Sequence, residues 1–329
     1  MHSYKKIKEM LCTTERHGRT VVVDFFLLLV LAVISLMTMA CGESAEEQIK
    51  REALQRKKQF MADSAAFKIA VTPTIDCLPL YVAEDEGLFQ NAGLSVQLRL
   101  YHAQMDQDTS MMRGRVEAMT TDLVRAERMQ HQGKKLRYVT ATELGWQLLT
   151  NPTARIKFPS QLDDKMIAMT RYSATALLAD LIVDSARIRS EKVFRIQVND
   201  VEVRLNMLLT GIMDAMFLPE PQATAARLEG CPVLMESGQK DVWLGVLAVS
   251  DSIMEDSSRQ HQVETLLRIY DAACDSIGKY GVRHYASLVS KRCGVQQAVA
   301  DSIPNDILFR HVVAPNTSDI ERARKWLGY

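Results

Sequence analysis

Short polar side chains gather in four segments, each of which follows a short apolar run and precedes a helical pattern. Their hydroxyl and carboxylate groups can hydrogen-bond a small ligand, which in an open α/β sheet lies outside the carboxyl ends of the strands. Ser, Thr and Asp also cap helices by accepting hydrogen bonds from first-turn N–H groups, so capping is the alternative for each of them. The segments are Thr72-Pro73-Thr74-Ile75-Asp76, Thr120-Thr121-Asp122, Thr170-Arg171-Tyr172-Ser173-Ala174-Thr175 and Leu218-Pro219-Glu220-Pro221. Their equivalent positions predict one shared binding site.

The sequence contains no pattern of a common catalytic or metal site. His102 and His131 have no neighbour at metal-ligand spacing, and Cys77 stands alone between Asp76 and Leu78. Nucleophile-elbow, P-loop and zinc-protease patterns are also absent from the sequence. We therefore predict a protein that is not an enzyme and that uses no cofactor or metal.

The elements that must position the four segments alternate between strands and helices. Lys68–Val71 predicts a buried strand, and Leu80–Glu86 predicts a helix that ends at Gly87. Leu94–Leu100 alternates apolar and polar residues, as a strand with one polar face does. Further short apolar strands are predicted at 118–119, 136–139, 165–169, 193–198, 214–217 and 233–235, and the chain is mostly helical from Arg259. This alternation predicts an α/β fold with largely parallel sheets.

The composition excludes nucleic-acid binding as the main role. The 329 residues include 40 Lys and Arg against 40 Asp and Glu, whereas nucleic-acid binding depends on many basic contacts with phosphate. Hydrophobic residues make up 47% and charged residues 24%, as in ordinary globular proteins. The length predicts about two domains.

The N-terminus predicts export. A basic head is followed by the apolar run Phe25–Ala40. The run is too short to span a membrane, so the two segments together fit a signal peptide over residues 1–40. The run ends in Leu36–Gly42, which resembles a bacterial lipobox, where Cys41 is lipidated and becomes the new N-terminus. An uncleaved signal anchor is the alternative, and both exported forms place the body outside the cytoplasm. Residues 41–66 predict a charged tether.

Four thiols then remain, and none of them has the Cys-x-x-Cys spacing of a redox or zinc motif. Cys274 and Cys293 lie in neighbouring helical stretches of the C-terminal part, where a disulfide between them and four free buried thiols are both open alternatives. The remaining cysteines are Cys77, Cys231, Cys274 and Cys293.

Several stretches together resemble periplasmic substrate-binding proteins of the nitrate/sulfonate/taurine (NitT/TauT) type, in the superfamily of the thiamine-pyrimidine-precursor synthase-like proteins. The similarity extends from about Phe67 to Val249. The stretches that carry it are Pro79–Ala83, Gly87–Phe89, Gly93-Leu94, Arg115–Ala126 (RVEAMTTDLVRA) and Gly211–Ala226 (GIMDAMFLPEPQATAA).

The resemblance implies a two-lobed, type II periplasmic-binding-protein-like α/β fold with two crossover strands. The crossings are expected near Leu144–Asn151 and Val242–Ser250. Residues 67–148 and 248–329 would form lobe one, and residues 149–247 would form lobe two. The lobes are expected to close on a ligand by a hinge motion.

The resemblance also implies a ligand-binding set drawn from both lobes. Thr72 and Thr175 would exchange hydrogen bonds, and Tyr172 or Trp243 would form an aromatic wall. Acidic candidates would accept hydrogen bonds from ligand N–H groups or bind a cation, whereas Arg171 suits a carboxylate, sulfonate or phosphate. These two kinds of ligand stay open, and an intralobe salt bridge is the alternative for Glu220. The full set is Thr72, Thr74, Asp76, Thr121, Asp122, Arg171, Tyr172, Ser173, Thr175, Glu220 and Trp243.

The function expected from this resemblance is that of a solute-binding lipoprotein of an ABC importer on the periplasmic side of the cell envelope. It would capture a small polar or heterocyclic solute and deliver it to a permease that works with an ATPase. A ligand-sensing adaptor of a membrane partner is one alternative. An exported enzyme on the same fold, such as a relative of the pyrimidine-precursor synthases, is the other.

Overall fold

The computed structural model describes residues 49–51, 53–54 and 66–329. The predicted signal peptide, the lipobox with Cys41 and most of the predicted tether lie outside the described residues. The chain divides into two units, Met1–Ser64 and Ala65–Tyr329, and both sheets with their helices belong to the second unit. In the described part of the chain, no helix is both long and apolar enough to cross a membrane.

Ten strands and eleven α-helices form the described part of the second unit. The strands are β1 (Phe67–Val71), β2 (Val96–Leu100), β3 (Ala118–Asp122), β4 (Leu136–Ala141), β5 (Gln147–Thr150), β6 (Lys165–Met169), β7 (Val193–Gln197), β8 (Ala215–Leu218), β9 (Val233–Glu236) and β10 (Gly245–Ser250). The helices are α1 (Leu78–Asp85), α2 (Leu88–Asn91), α3 (Gln104–Met112), α4 (Leu123–His131), α5 (Ala174–Ser185), α6 (Val201–Leu209), α7 (Gln222–Leu228), α8 (Ser257–Tyr280), α9 (Ala286–Cys293), α10 (Gln297–Asp301) and α11 (Thr317–Leu327).

The strands form two five-stranded sheets of matching design. The first sheet has the order β2-β1-β3-β10-β4, and the second has the order β7-β6-β8-β5-β9. In the first sheet β1 pairs in parallel with β2 and β3, while β10 runs antiparallel to β3 and β4. In the second sheet β6 pairs in parallel with β7 and β8, while β5 runs antiparallel to β8 and β9.

The eight strands predicted from apolar runs are confirmed, but the prediction of largely parallel sheets is wrong. Half of the strand pairings are antiparallel, because the chain changes sheets at β5 and β10. Strand β5 follows β4 of the first sheet but joins the second, and β10 follows β9 of the second sheet but joins the first. These two strands lie within the segments that the resemblance gave as crossings. We call the part built on the first sheet the first lobe and the part built on the second sheet the second lobe.

Apolar side chains fill the space beside each sheet and also join the two lobes. Beside the first sheet, Phe67 and Tyr270 are at most 2% exposed, and each buried side chain of this size contributes roughly 1.5–3 kcal/mol. A second cluster contains Leu123 of α4 in the first lobe together with Leu177 of α5 and Trp146 from the second-lobe side. Helix α4 therefore packs against both lobes.

The C-terminal helix α11 contacts both lobes as well. The guanidinium of Arg324 pairs with Glu127 of α4 at 2.8 Å, and the indole N–H of Trp326 donates to Asp180 of α5 at 2.9 Å. The residue boundaries given above for lobe one and lobe two stay a prediction.

The four cysteines described in the structure are all free and buried, so Cys274 and Cys293 form no disulfide here.

Candidate functional site

Two cavities lie between the lobes, and the indole of Trp146 lines both of them. The inner cavity encloses about 20 Å³, which is room for about one water molecule. The outer cavity encloses about 180 Å³. The inner cavity is lined by Thr72, Pro73, Thr74, His102, Gln104, Thr120, Thr121, Arg125, Leu144, Trp146, Asn199, Val201, Arg204 and Pro219. The outer cavity is lined by Ile75, Glu143, Gly145, Trp146, Gln147, Glu220, Glu236, Ser237, Gly238, Trp243 and Ile307.

Strand ends bring the inner-cavity residues together. Thr72 and Thr74 follow the carboxyl end of β1, and Thr121 lies at the carboxyl end of β3 beside it. The second lobe contributes Asn199, which follows β7, and Arg204 from α6. The cavity therefore lies where open α/β sheets bind their ligands.

Arg204 is a buried cation that forms no salt bridge within the described residues. Its side chain is 1% exposed, Nη1 donates to the carbonyl of Phe217 at 2.8 Å, and Nε has no hydrogen-bond partner. Within the described residues Arg204 forms no ion pair, and burial lowers the pKa of its guanidinium to about 10. It remains charged at neutral pH, and Asp200 favours this charge without forming an ion pair, so this wall of the cavity carries a positive charge that has no salt bridge among the described residues.

The other polar groups around the inner cavity are partly paired with each other and partly free to hydrogen-bond. Arg125 is 3% exposed and is neutralised by an ion pair with Asp108. The hydroxyl oxygen of Thr121 and the amide oxygen of Gln104 are buried and have no hydrogen-bond partner. The hydroxyls of Thr72 and Thr74 hydrogen-bond each other at 2.8 Å. Of the two arginines that line the inner cavity, Arg125 has a salt bridge and Arg204 has none.

Asp122 connects the lobes at the edge of this site. Its Oδ1 accepts from the N–H of Arg125 at 3.0 Å, which caps α4, and from the N–H of Ala174 at 3.0 Å, which is the first residue of α5. The side chain is fully buried, and Oδ2 has no hydrogen-bond partner. Burial raises the pKa of Asp122 to about 6, although Arg125 and both N–H donors act in the opposite direction.

Further hydrogen bonds cross between the lobes beside the inner cavity. The N–H of Ile75 donates to the carbonyl of Glu220 at 2.9 Å, and the amide of Gln222 donates to the carbonyl of Pro73 at 2.8 Å. The lobes are thus in direct contact around the inner cavity, and a solute larger than water requires them to move apart.

The predicted residues after β6 do not reach either cavity. Ser173 caps α5, and its hydroxyl donates to the carbonyl of Thr170 at 2.7 Å, while the Thr175 hydroxyl accepts from the N–H of Thr170 at 2.9 Å. Arg171 is exposed, and Tyr172 is 50% exposed with the guanidinium of Arg128 at 4.5 Å from its ring centre.

Asp76 also lies away from both cavities, although it follows β1. It is 1% exposed, and its Oδ1 has no hydrogen-bond partner. Burial raises the pKa of Asp76 to about 6, against a smaller opposing effect of the hydrogen bond with Thr74.

Glu220 and Trp243 line the outer cavity. Glu220 pairs with Arg227 of the same lobe at 2.8 Å and accepts from the hydroxyl of Thr224 at 2.6 Å, so the intralobe salt bridge is present. Trp243 has the guanidinium of Arg310 at 5.8 Å from its ring centre, and Arg310 also pairs with Glu143 at 2.7 Å. The described residues contain no group of three or more His, Cys, Asp or Glu placed to hold a metal ion.

The structure thus brings Thr72, Thr74 and Thr121 together at the inner cavity, and it adds residues that the sequence reasoning missed. Arg204 is the most important of these. Val201, Arg204 and Leu208 are the buried residues of α6, at spacings of three and four that place them on one face. An arginine on an otherwise apolar helix face was the signal that could have found it. Gln104, His102 and Asn199 follow no comparable pattern.

Comparison with known proteins gives the family. The family model described as "NMT1/THI5 like" matches residues 74–277. The chain belongs to this family. No curated protein sequence matches the chain.

Solved structures with the same fold include two binding proteins and one enzyme. The alkanesulfonate-binding protein SsuA from Xanthomonas axonopodis pv. citri, bound to MOPS, superposes with a TM-score of 0.68 at 14% identity, over 80% of this chain and 91% of that one. The periplasmic nitrate-binding protein NrtA from Synechocystis PCC 6803 gives a TM-score of 0.61 at 13% identity, over 71% of this chain and 68% of that one. The desulfurization enzyme DSZB gives a TM-score of 0.56 at 14% identity, over 79% of this chain and 91% of that one. The two-lobed periplasmic-binding-protein-like fold is therefore confirmed.

Proposed function

We propose that this member of the family is the solute-binding component of an ABC importer and that it captures a small anionic solute between its lobes. The observation that carries the proposal is Arg204, a buried and unpaired cation that lines the cavity between the two sheets. The similarity of the fold to sulfonate- and nitrate-binding proteins supports the same function.

The charge balance of the inner cavity favours an anion over a cation. Burying a guanidinium without a counter-ion is costly, and an anionic solute removes most of that cost by pairing with it. The carboxylate of Asp108 is already paired with Arg125, and Asp122 is held by two N–H groups. No Asp or Glu is among the described residues that line the inner cavity, and a cationic solute would be repelled by Arg204.

The outer cavity gives the rest of the solute a place. Because Trp146 lines both cavities, a solute with its anionic group at Arg204 can extend along the indole toward Trp243. We propose that the aromatic wall expected from the sequence is made by these two tryptophans and that Thr72, Thr74 and Thr121 hydrogen-bond the anionic group.

Export and membrane attachment complete the proposal. Signal peptide, lipidated Cys41 and charged tether would hold the second unit at the periplasmic side of a membrane, where the closed form meets a permease. Sensing by a membrane partner uses the same capture step.

DSZB shows that the fold also occurs in an enzyme. Catalysis by a thiol would need Cys77, the cysteine beneath the inner cavity, which contacts the Thr120 hydroxyl at 3.2 Å. Burial raises the pKa of Cys77 to about 12, which keeps it a thiol and a poor nucleophile at neutral pH. This favours binding over catalysis.

Thermal unfolding against a panel of solutes tests the function. The panel contains alkanesulfonates, nitrate, short carboxylates, aminopyrimidines and alkylammonium ions. At a hundredfold excess over Kd a ligand stabilises by about 2.7 kcal/mol, which is roughly 5–10 °C for a protein of this size. We expect shifts from one class of anion only. Stabilisation by alkylammonium ions and by no anion would contradict the proposal.

The variant Arg204→Gln separates binding from folding. It removes a buried charge that has no salt bridge, so the unliganded protein should be at least as stable as the wild type, while the shift with the anion falls by about half or more. Arg189→Gln removes an arginine whose side chain is 73% exposed, and it serves as the charge-matched control that keeps the shift.

A further inference from the structure

Asp122 lies between the first turns of two helices that belong to different lobes. Its Oδ1 accepts from the N–H of Arg125 in α4 and from the N–H of Ala174 in α5, each at 3.0 Å. First-turn N–H groups have no partner inside their own helix, and a carboxylate is the group that helix N-termini bind best. One carboxylate therefore serves a helix of each lobe.

The surroundings of Asp122 separate this contact from an ordinary helix cap. Asp200 and Asp256 cap α6 and α8 by accepting from N–H groups of those helices only, whereas Asp122 also accepts across the lobe boundary. Asp122 is fully buried, which those two caps are not. The cross-lobe bond is thus shielded from water, where a hydrogen bond to a charged group is worth most.

The charged groups that act on Asp122 come from the first lobe. Arg125 lies on its own helix α4, and Asp108 of α3 is the partner of Arg125. From the second lobe, α5 presents its N-terminal N–H group, and Arg171 and Tyr172 are exposed in the loop before it.

We propose that Asp122 is a positioning residue that holds the lobes in their closed arrangement. Its carboxyl group accepts a hydrogen bond from the N-terminal N–H of α5, as an anionic ligand does when it binds at a helix N-terminus. The proposal rests on the proposed function, because closure matters only if the cleft captures a solute. It also assigns the anion-binding end of α5 to the protein itself, so the solute's anionic group is left to Arg204.

This arrangement makes closure sensitive to pH. Separation of the lobes would return Asp122 to water, where the ordinary pKa is 3.8, whereas burial in the closed form raises it to about 6. The closed form therefore binds the proton more tightly, and closure is favoured as the pH falls through 6. The closed-to-open ratio is therefore higher at pH 5 than at pH 7. Protonation keeps the bond to Ala174, since the proton is carried by the unpartnered Oδ2.

Amide hydrogen exchange of the purified protein, without any solute, measures closure directly. The N–H of Ile75 donates to Glu220 of the other lobe, so its protection factor reports how often the lobes separate, while Ile69 in β1 reports global unfolding. We expect higher Ile75 protection at pH 5 than at pH 7, after correction for intrinsic exchange. Asp122→Asn keeps an acceptor and a cap but cannot titrate, so it should abolish this difference.

Two variants remove the bond from opposite sides. Asp122→Ala deletes the acceptor. Ala174→Pro deletes the donor at the first helical position, where proline is tolerated, and Ser173 before it is extended (φ −132°, ψ 173°) as proline requires. Each should lower Ile75 protection by about tenfold to hundredfold at pH 7, and the double variant should lower it no further. Asp256→Ala, a helix cap with no cross-lobe contact, is the matched control and should leave it unchanged.

Loss of protection at the Arg125 amide alone, with Ile75 unchanged in both single variants, would show that Asp122 is only a helix cap and would overturn the proposal. An Ile75 protection that is the same at pH 5 and pH 7 in the wild type would also overturn it. Because no solute is present, these outcomes are independent of the solute panel, which tests the proposed function separately.

Discussion

Replacing Asp76 should change how the stability of the protein depends on pH. Asp76 is 1% exposed, its Oδ1 has no partner, and burial raises its pKa from 3.8 to about 6. The folded protein therefore holds this proton at pH values where the unfolded chain has lost it. Stability associated with the proton is present below about pH 4 and is lost as the pH rises through 6.

The size of the effect follows from the two pKa values. Between pH 5 and pH 7.5 a group with pKa values of 3.8 unfolded and about 6 folded lowers the free energy of unfolding by roughly 1 kcal/mol. Asp122 has the same values and the same sign, so the two carboxyls together contribute roughly 2–3 kcal/mol. Asp76→Asn should reduce this contribution by half.

Urea unfolding followed by tryptophan fluorescence at pH 5 and pH 7.5 measures the difference. We compare the wild type with Asp76→Asn and with Asp256→Asn, which changes an exposed aspartate and should keep the full pH dependence. An Asp76→Asn protein with the same pH dependence as the wild type would refute the reasoning, because the carboxyl would then titrate alike in the folded and unfolded chain.

Three further predictions concern packing and burial. Gly245→Ala should destabilise the fold by roughly 1–3 kcal/mol in urea unfolding, because a Cβ at this position would lie 2.5 Å from Cβ of Leu144. Arg324→Gln should cost about 1–2 kcal/mol in the same assay, less than a fully buried pair because Arg324 is 52% exposed, and Arg324→Lys should restore part of it. The thiols should resist a disulfide-exchange reagent at pH 8 until urea unfolds the protein, and rapid labelling of the folded form would contradict their burial. The thiols concerned are Cys77, Cys231, Cys274 and Cys293.

Much of the fold could be predicted from the sequence because local patterns specify it. The apolar run at Lys68–Val71 and the helix that ends before Gly87 are both present, and Gly87 adopts the left-handed φ of 69° that such a stop requires. The direction of β5 and β10 was the part that could not be read locally. The direction of each of these strands depends on the sheet that the preceding strand occupies, and the local sequence pattern carries no information about this.

The lining of the candidate site could be predicted only in part, because a polar residue after a strand can face a cleft or its own helix. Thr121 faces the inner cavity, whereas Ser173 turns back to cap α5 and satisfies the same hydrogen-bonding needs within one lobe. The decisive residue, Arg204, lies inside a helix away from the strand ends. Its proposed role depends on the lack of a salt bridge among the described residues, and this is a property of three-dimensional packing.

Calorimetric titration of the purified protein at pH 7 with the anion identified by the solute panel tests the central claim most directly. We predict one binding site in the wild type and in Arg189→Gln, and affinity at least tenfold weaker in Arg204→Gln, because a hydrogen bond to a charged group is worth about 1.5–3 kcal/mol. Equal affinity in the wild type and Arg204→Gln would contradict the claim that the unpaired guanidinium between the lobes binds the solute.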